Sequence, residues 1–109
     1  MKKVIATVAA SALAAGALAG QSLGAGSKTV QVKDNLFAPT KVTVTRGTTV
    51  RWTWKGKAPH NVTITKGPVK FHSSTTTKGS FSKKLTKAGT YSILCTIHAP
   101  NMKMTLKVT

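Results

Sequence analysis

Acidic side chains are almost missing from this chain. Asp34 is the only carboxylate side chain in 109 residues, set against 17 Lys and Arg, and the formal net charge is +16. No Ser/His/Asp catalytic set is available beyond that single acid. Cysteine is equally scarce: Cys95 stands alone, so no intramolecular disulfide can form. A solitary thiol in an oxidising compartment tends to pair or oxidise, so burial or a metal should protect it. Aromatic residues make up 6% of the chain. The chain therefore lacks a stacking platform for nucleic acid, and its basic residues form no concentrated patch. No segment keeps a helical hydrophobic period, and no internal repeat is visible. Past the N-terminus, no segment is long and apolar enough to span a bilayer.

The N-terminus reads as an address rather than as structure. Lys2 and Lys3 precede an uncharged stretch, Val4 to Ala19, made largely of Ala, Val, Leu and Ile. Ala17-Leu18-Ala19 fits the small-x-small pattern before a signal-peptidase cut. The expected organisation is a signal peptide over residues 1–19, a flexible linker over 20–27 and one domain over 28–109. An uncleaved membrane anchor is the competing reading, because no charge falls between Lys3 and Lys28. Either way the product is exported, periplasmic or extracellular. Cleavage would remove two lysines and leave a net charge of +14. The remaining cations are dispersed, as for a solvated face. A charge of this size favours acidic partners through long-range attraction and says little about fold.

From Lys28 onward apolar residues recur with period two, as in half-buried strands. Val30 and Val32 share a face, then Val42 and Val44, then Val50, Trp52 and Trp54. Val62 and Ile64 follow, then a weaker set at Phe81, Lys83 and Leu85. Tyr91, Ile93 and Cys95 come next, and Met104, Leu106 and Val108 close the chain. Breakers at Ala38-Pro39, Arg46-Gly47, Lys55 to Pro59, Lys66-Gly67-Pro68, Lys78-Gly79, Ala88-Gly89 and Ala99-Pro100 separate these runs. The pattern predicts an all-β protein, an antiparallel Greek-key β-sandwich of about seven to eight strands. Phe71 to Lys78, rich in Ser and Thr, reads as a surface loop.

The chemistry-bearing residues lie near the C-terminus. Cys95 is followed by His98 and then by Met102, and a second histidine, His60, stands far upstream in Ala58-Pro59-His60-Asn61-Val62. One thiolate, two imidazoles and one thioether suit copper, in a trigonal His₂Cys site with a weak axial Met. Thiolate favours Cu(I), imidazole supports Cu(II), and a geometry between the two preferences needs little rearrangement when an electron moves. Cys95 ends one strand, and His98 and Met102 sit on the loop that follows. Met104 competes for the axial position, but period two aligns it with Leu106 and Val108 as core. His72 reads as a surface residue without a role. Trp52, Trp54 and Tyr91 read as core, with Tyr91 packed under the site.

These segments resemble the cupredoxins, the type 1 blue-copper proteins, and most closely the plastocyanin, pseudoazurin and amicyanin group. The likeness runs through Phe37-Ala38-Pro39, Val42-Thr43-Val44, Gly47-Thr48-Thr49-Val50 and Trp52. It continues through Pro59-His60-Asn61-Val62, Gly89-Thr90-Tyr91 and Cys95-Thr96-Ile97-His98. The resemblance implies copper binding, one ion, at His60, Cys95, His98 and Met102. It also implies that Asn61 ties the two ligand loops together, with Thr96 as partner. Three residues separate His98 from Met102, where amicyanin-like loops have two and plastocyanin-like loops four, so the subfamily stays open.

The function this implies is one-electron transfer between exported or membrane redox partners, not catalysis. Four protein ligands leave no open metal position for a substrate. His98, with Ala99 and Pro100 beside it, is the expected exit for the electron. The basic exterior would steer acidic redox partners to a monomeric carrier. The alternative is a periplasmic copper buffer or delivery protein using the same ligands. A polyanion-binding sandwich is a third, resting on net charge alone.

Overall fold

The computed structural model describes residues 26–109, so the expected signal peptide and all but the last two residues of the linker lie outside the described residues. Two four-stranded sheets face each other. The strands are β1 (Ser27–Lys33), β2 (Leu36–Ala38), β3 (Lys41–Val44), β4 (Thr48–Trp54), β5 (Thr63–Lys66), β6 (Ser80–Leu85), β7 (Gly89–Leu94) and β8 (Lys103–Val108). One sheet has the order β2-β1-β4-β6 and the other β3-β8-β7-β5. Among the described residues no helix is long and apolar enough to cross a membrane.

The sandwich follows the period-two pattern residue by residue. In β8 the alternation is complete: Met104, Leu106 and Val108 are buried, while Lys103, Thr105 and Lys107 are exposed. β4 buries Thr48, Val50, Trp52 and Trp54 and exposes Arg51. This is how so basic a chain keeps a core: among the described residues every Lys and Arg is exposed except the half-buried Lys83, while apolar side chains fill the gap between sheets. Each fully buried Val, Leu or Ile contributes roughly 1.5–3 kcal/mol of transfer free energy.

Pairing within the sheets is mixed. β1 runs parallel to β4, with Val30 opposite Trp52 and Val32 opposite Trp54, and β3 runs parallel to β8. The other pairs are antiparallel. Alternation fixes which face is buried but is the same for either strand direction, so this feature was invisible in the pattern.

Two details position the site. β1 and β2 form a hairpin whose turn is Asp34-Asn35, with Asn35 at φ 66°. Asn tolerates this left-handed conformation better than most residues, so the turn is tight. The stretch Phe71 to Lys78 has no regular strand, yet it follows the ligand-bearing segment closely. His60 exchanges two backbone bonds with Thr76, and Ser73 N donates to the Val62 carbonyl at 2.8 Å. The hydroxyl of Ser73 accepts from Val62 N at 2.9 Å. The expected surface loop is therefore a strap along residues 60–64.

Candidate metal centre

His60 precedes β5 and is fully buried. Its backbone is fixed at both ends. His60 N donates to the Thr76 carbonyl at 2.9 Å, and its own carbonyl accepts from Thr76 N at 3.1 Å. The indole N–H of Trp54 donates to the same carbonyl at 3.2 Å. Trp54 thus does more than fill the core, because its polar edge holds a metal-site residue in place.

Cys95 follows directly after β7 and is buried. A single 3₁₀ turn, Thr96–His98, starts there. The loop closes on itself. His98 N donates to the Cys95 carbonyl at 3.3 Å, Met102 N to the His98 carbonyl at 3.3 Å, and Cys95 N to the Met102 carbonyl at 3.0 Å. The last bond pins the two ends of the loop together just before β8 begins.

These constraints bring three donor atoms together. Sγ of Cys95 lies 3.8 Å from Nδ1 of His60 and 3.7 Å from Nδ1 of His98. All three lie within 4.8 Å of one another. Such S···N distances are long for a hydrogen bond but suit donors around one ion. A thiolate about 2.3 Å and an imidazole nitrogen about 2.0 Å from a shared ion, at near-trigonal angles, stand about 3.8 Å apart. The donor set therefore fits a copper ion in both chemistry and spacing.

The two methionines have separate surroundings. Met102 lies on the ligand loop and is fully buried. Met104 lies in β8, and its sulfur accepts the indole N–H of Trp52 at 3.4 Å within the core. Asn61, itself buried, joins the two ligand segments. Its amide nitrogen donates to Thr96 Oγ1 at 2.8 Å and to Thr75 Oγ1 at 3.0 Å. Its carbonyl oxygen accepts from Thr96 N at 3.1 Å and from Thr63 Oγ1 at 2.9 Å. His72 is exposed and lies outside the donor cluster. Tyr91 is buried, and its hydroxyl donates to the Lys87 carbonyl at 2.8 Å.

Besides the supporting contacts of Trp54, Thr75 and Thr76, sequence reasoning missed an acid at the site. Asp34, in the β1–β2 turn, places Oδ1 2.8 Å from Nε2 of His60. The same carboxylate accepts the backbone N–H groups of Lys57 and Ala58 at 3.0 Å. The hydrogen bond from His60, followed by those from Ala58 and Lys57, lowers its pKa to about 2. At neutral pH the group is ionised and can only accept, so Nε2 of His60 carries the proton. Nδ1 then presents its lone pair toward Cys95. The available signal was the rarity of the residue: in a chain with one acid, its position carries information.

The centre is asymmetric toward solvent. His60 is sealed, whereas His98 is partly exposed among Thr96, Ile97, Ala99 and Pro100, all exposed. Ile97, at 52% exposure, is one of two large apolar side chains left at the surface among the described residues.

Comparison with known proteins agrees with this geometry. Residues 25–109 match the family of copper-binding proteins described as plastocyanin/azurin. The chain is 38% identical over 104 residues to amicyanin-alpha of Methylorubrum extorquens, covering 87% of this chain and 83% of that one. Among solved structures, an amicyanin variant in its Cu(I) form superposes with a TM-score of 0.68 at 30% identity, over 77% of this chain and 83% of the other. A purple cupredoxin from Nitrosopumilus maritimus shares the fold, with a TM-score of 0.67 at 20% identity, over 75% of this chain and 99% of that one. Fold, donor set and sequence converge: the chain belongs to the plastocyanin/azurin family of copper-binding proteins, and its cofactor is a copper ion.

Proposed function

We propose that this protein is a type 1 blue-copper electron carrier whose ligands are His60, Cys95, His98 and Met102. The observation that carries the reading is the convergence of His60 Nδ1, Cys95 Sγ and His98 Nδ1 within 4.8 Å, on loops already closed by backbone hydrogen bonds. Copper, when bound, supplies a one-electron Cu(II)/Cu(I) couple. The protein's part is to hold a donor set that favours neither oxidation state strongly and resists rearrangement. Burial of Cys95 and His60 excludes water from the thiolate side. Met102 is the axial donor, because Met104 is engaged with Trp52 in the core.

Electrons enter and leave at His98, the more exposed of the two ligand imidazoles, within the small patch of Ile97, Ala99 and Pro100. Four protein donors leave no metal position for a substrate, so the reading is a carrier rather than an enzyme. The dispersed positive exterior steers acidic redox partners toward a monomeric carrier. The N-terminal segment 1–19 is a signal for export, and the protein works in the periplasm or outside the cell.

Voltammetry of the copper-loaded protein, combined with electron self-exchange by NMR line broadening, tests the carrier role. A reversible one-electron wave with fast self-exchange is the expected result. Tight copper binding with no reversible wave would instead fit a copper buffer or delivery protein.

A further inference from the structure

We infer that Asp34 is a positioning residue for the copper site: its carboxylate fixes the ring of His60 for ligation through Nδ1 and lowers the reduction potential. This rests on the proposed function above and deepens it.

Three independent observations support the assignment. The first is the convergence of three donors on one carboxylate. Nε2 of His60 approaches at 2.8 Å, and the N–H groups of Lys57 and Ala58 each lie 3.0 Å away. A backbone carbonyl could orient an imidazole equally well, but it would not bring a full negative charge. The second is Gly56. A Cβ there would collide with Oδ1 of Asp34, and with its backbone N at 2.8 Å. The loop over 55–59 carries a residue without a side chain at the point where the carboxylate passes. The third is charge. Asp34 is the only carboxylate side chain in a chain of net charge +16, and among the described residues its side-chain partner is a ring of the metal centre rather than any Lys or Arg.

The physical effect has a definite sign. A carboxylate that accepts the remote N–H of a ligating imidazole raises the basicity of the ligating nitrogen. The oxidised ion carries one more positive charge, so it gains more than the reduced ion does. The dispersed lysines and arginines act the opposite way, because a positive surround favours the less charged ion. Asp34 is 45% exposed, and water screens its direct field. The hydrogen bond passes through a ring that is fully buried and is screened far less.

The test compares wild type, Asp34→Asn, Asp34→Ala and Gly56→Ala. Potentials and visible spectra are read on the copper-loaded proteins, and the His60 tautomer is read by ¹⁵N NMR on the metal-free proteins. Asp34→Asn keeps the size and an acceptor for the loop N–H groups but removes the charge. Its Cu(II):Cu(I) affinity ratio should fall by about tenfold, within the range for lost outer contacts. For a one-electron couple, tenfold is a shift of about 59 mV, here upward. Gly56→Ala leaves the charge in the chain but displaces it, and should shift the potential in the same direction. In metal-free Asp34→Ala, the ring of His60 should become a tautomer mixture instead of the single Nε2–H form. If wild type turns blue but the variants keep its potential and tautomer, Asp34 only staples the loop and the assignment fails. If wild type develops no blue band, the electron-carrier reading itself fails and takes this inference with it.

Discussion

The indole N–H of Trp52 donates to the sulfur of Met104 at 3.4 Å inside the sandwich. Trp52 is in β4 and Met104 in β8, so the bond links the two sheets. It commits one methionine to the core, which supports the proposal of Met102, on the ligand loop, as the axial donor.

Met102→Leu should therefore change the colour and raise the potential of the copper-loaded protein, since a weak thioether donor is lost. Met104→Leu should leave both unchanged and act on stability. It strands the indole N–H of Trp52, at a cost of about 1–3 kcal/mol. Paired spectra, voltammetry and thermal melts on the two variants check the division.

Asn61 makes four hydrogen bonds, to Thr63, Thr75 and both the backbone and side chain of Thr96. Asn61→Ala removes the buried amide that ties the half-buried Thr63 and the exposed Thr75 and Thr96 together. The metal-free protein should lose about 2–3 kcal/mol, and copper should dissociate faster, because nothing else joins residues 61 and 96. Chemical denaturation of the metal-free form and copper release to a chelator measure the two effects. Equal stability and equal release would show that the loops are held by backbone bonds alone.

Burial raises the pKa of Tyr91 above its ordinary value. The unfolded chain loses this proton near pH 10, while the folded one keeps it. The stabilising contribution is thus complete below about pH 10 and is lost as pH rises through the folded value. As Tyr91 is the only tyrosine, tyrosinate absorbance reports on it alone. It should appear above pH 10 together with loss of fold. Tyr91→Phe should lose about 1 kcal/mol at neutral pH through the bond to Lys87, and its alkaline stability should fall less steeply.

Much of this was legible because it was local or periodic. Cys95, His98 and Met102 share one short loop, and His60 carries its own Pro-His-Asn-Val context. Faces of strands such as β8 were set by alternation alone. The rest depended on contacts between distant segments. Asp34 sits in Lys33-Asp34-Asn35, a stretch that carries no motif; its role exists because the turn it forms lands beside the 55–59 loop. The strap at 71–78 pairs through isolated bridges, His60 with Thr76 and Thr63 with His72, so it has no period to detect. Strand direction leaves no mark on a pattern of period two, which hid the two parallel pairs.

Among the described residues the cations are spread over the surface, so their effect on a partner should be long-ranged rather than contact-specific. The association rate with an acidic redox partner should fall by about tenfold or more as the Debye length shortens from about 30 Å at 0.01 M salt to about 8 Å at 0.15 M. Stopped-flow electron transfer across that range measures it. A flat profile would mean that the positive exterior plays no part in docking.

The most direct test of the central claim is titration of Cu(II) into the purified protein, followed in the visible range. One equivalent should produce an intense blue thiolate-to-copper band, and Cys95→Ser should remain pale while still folded. Absence of the band in wild type, or its survival without the thiol, would contradict a copper centre built on Cys95, His60 and His98.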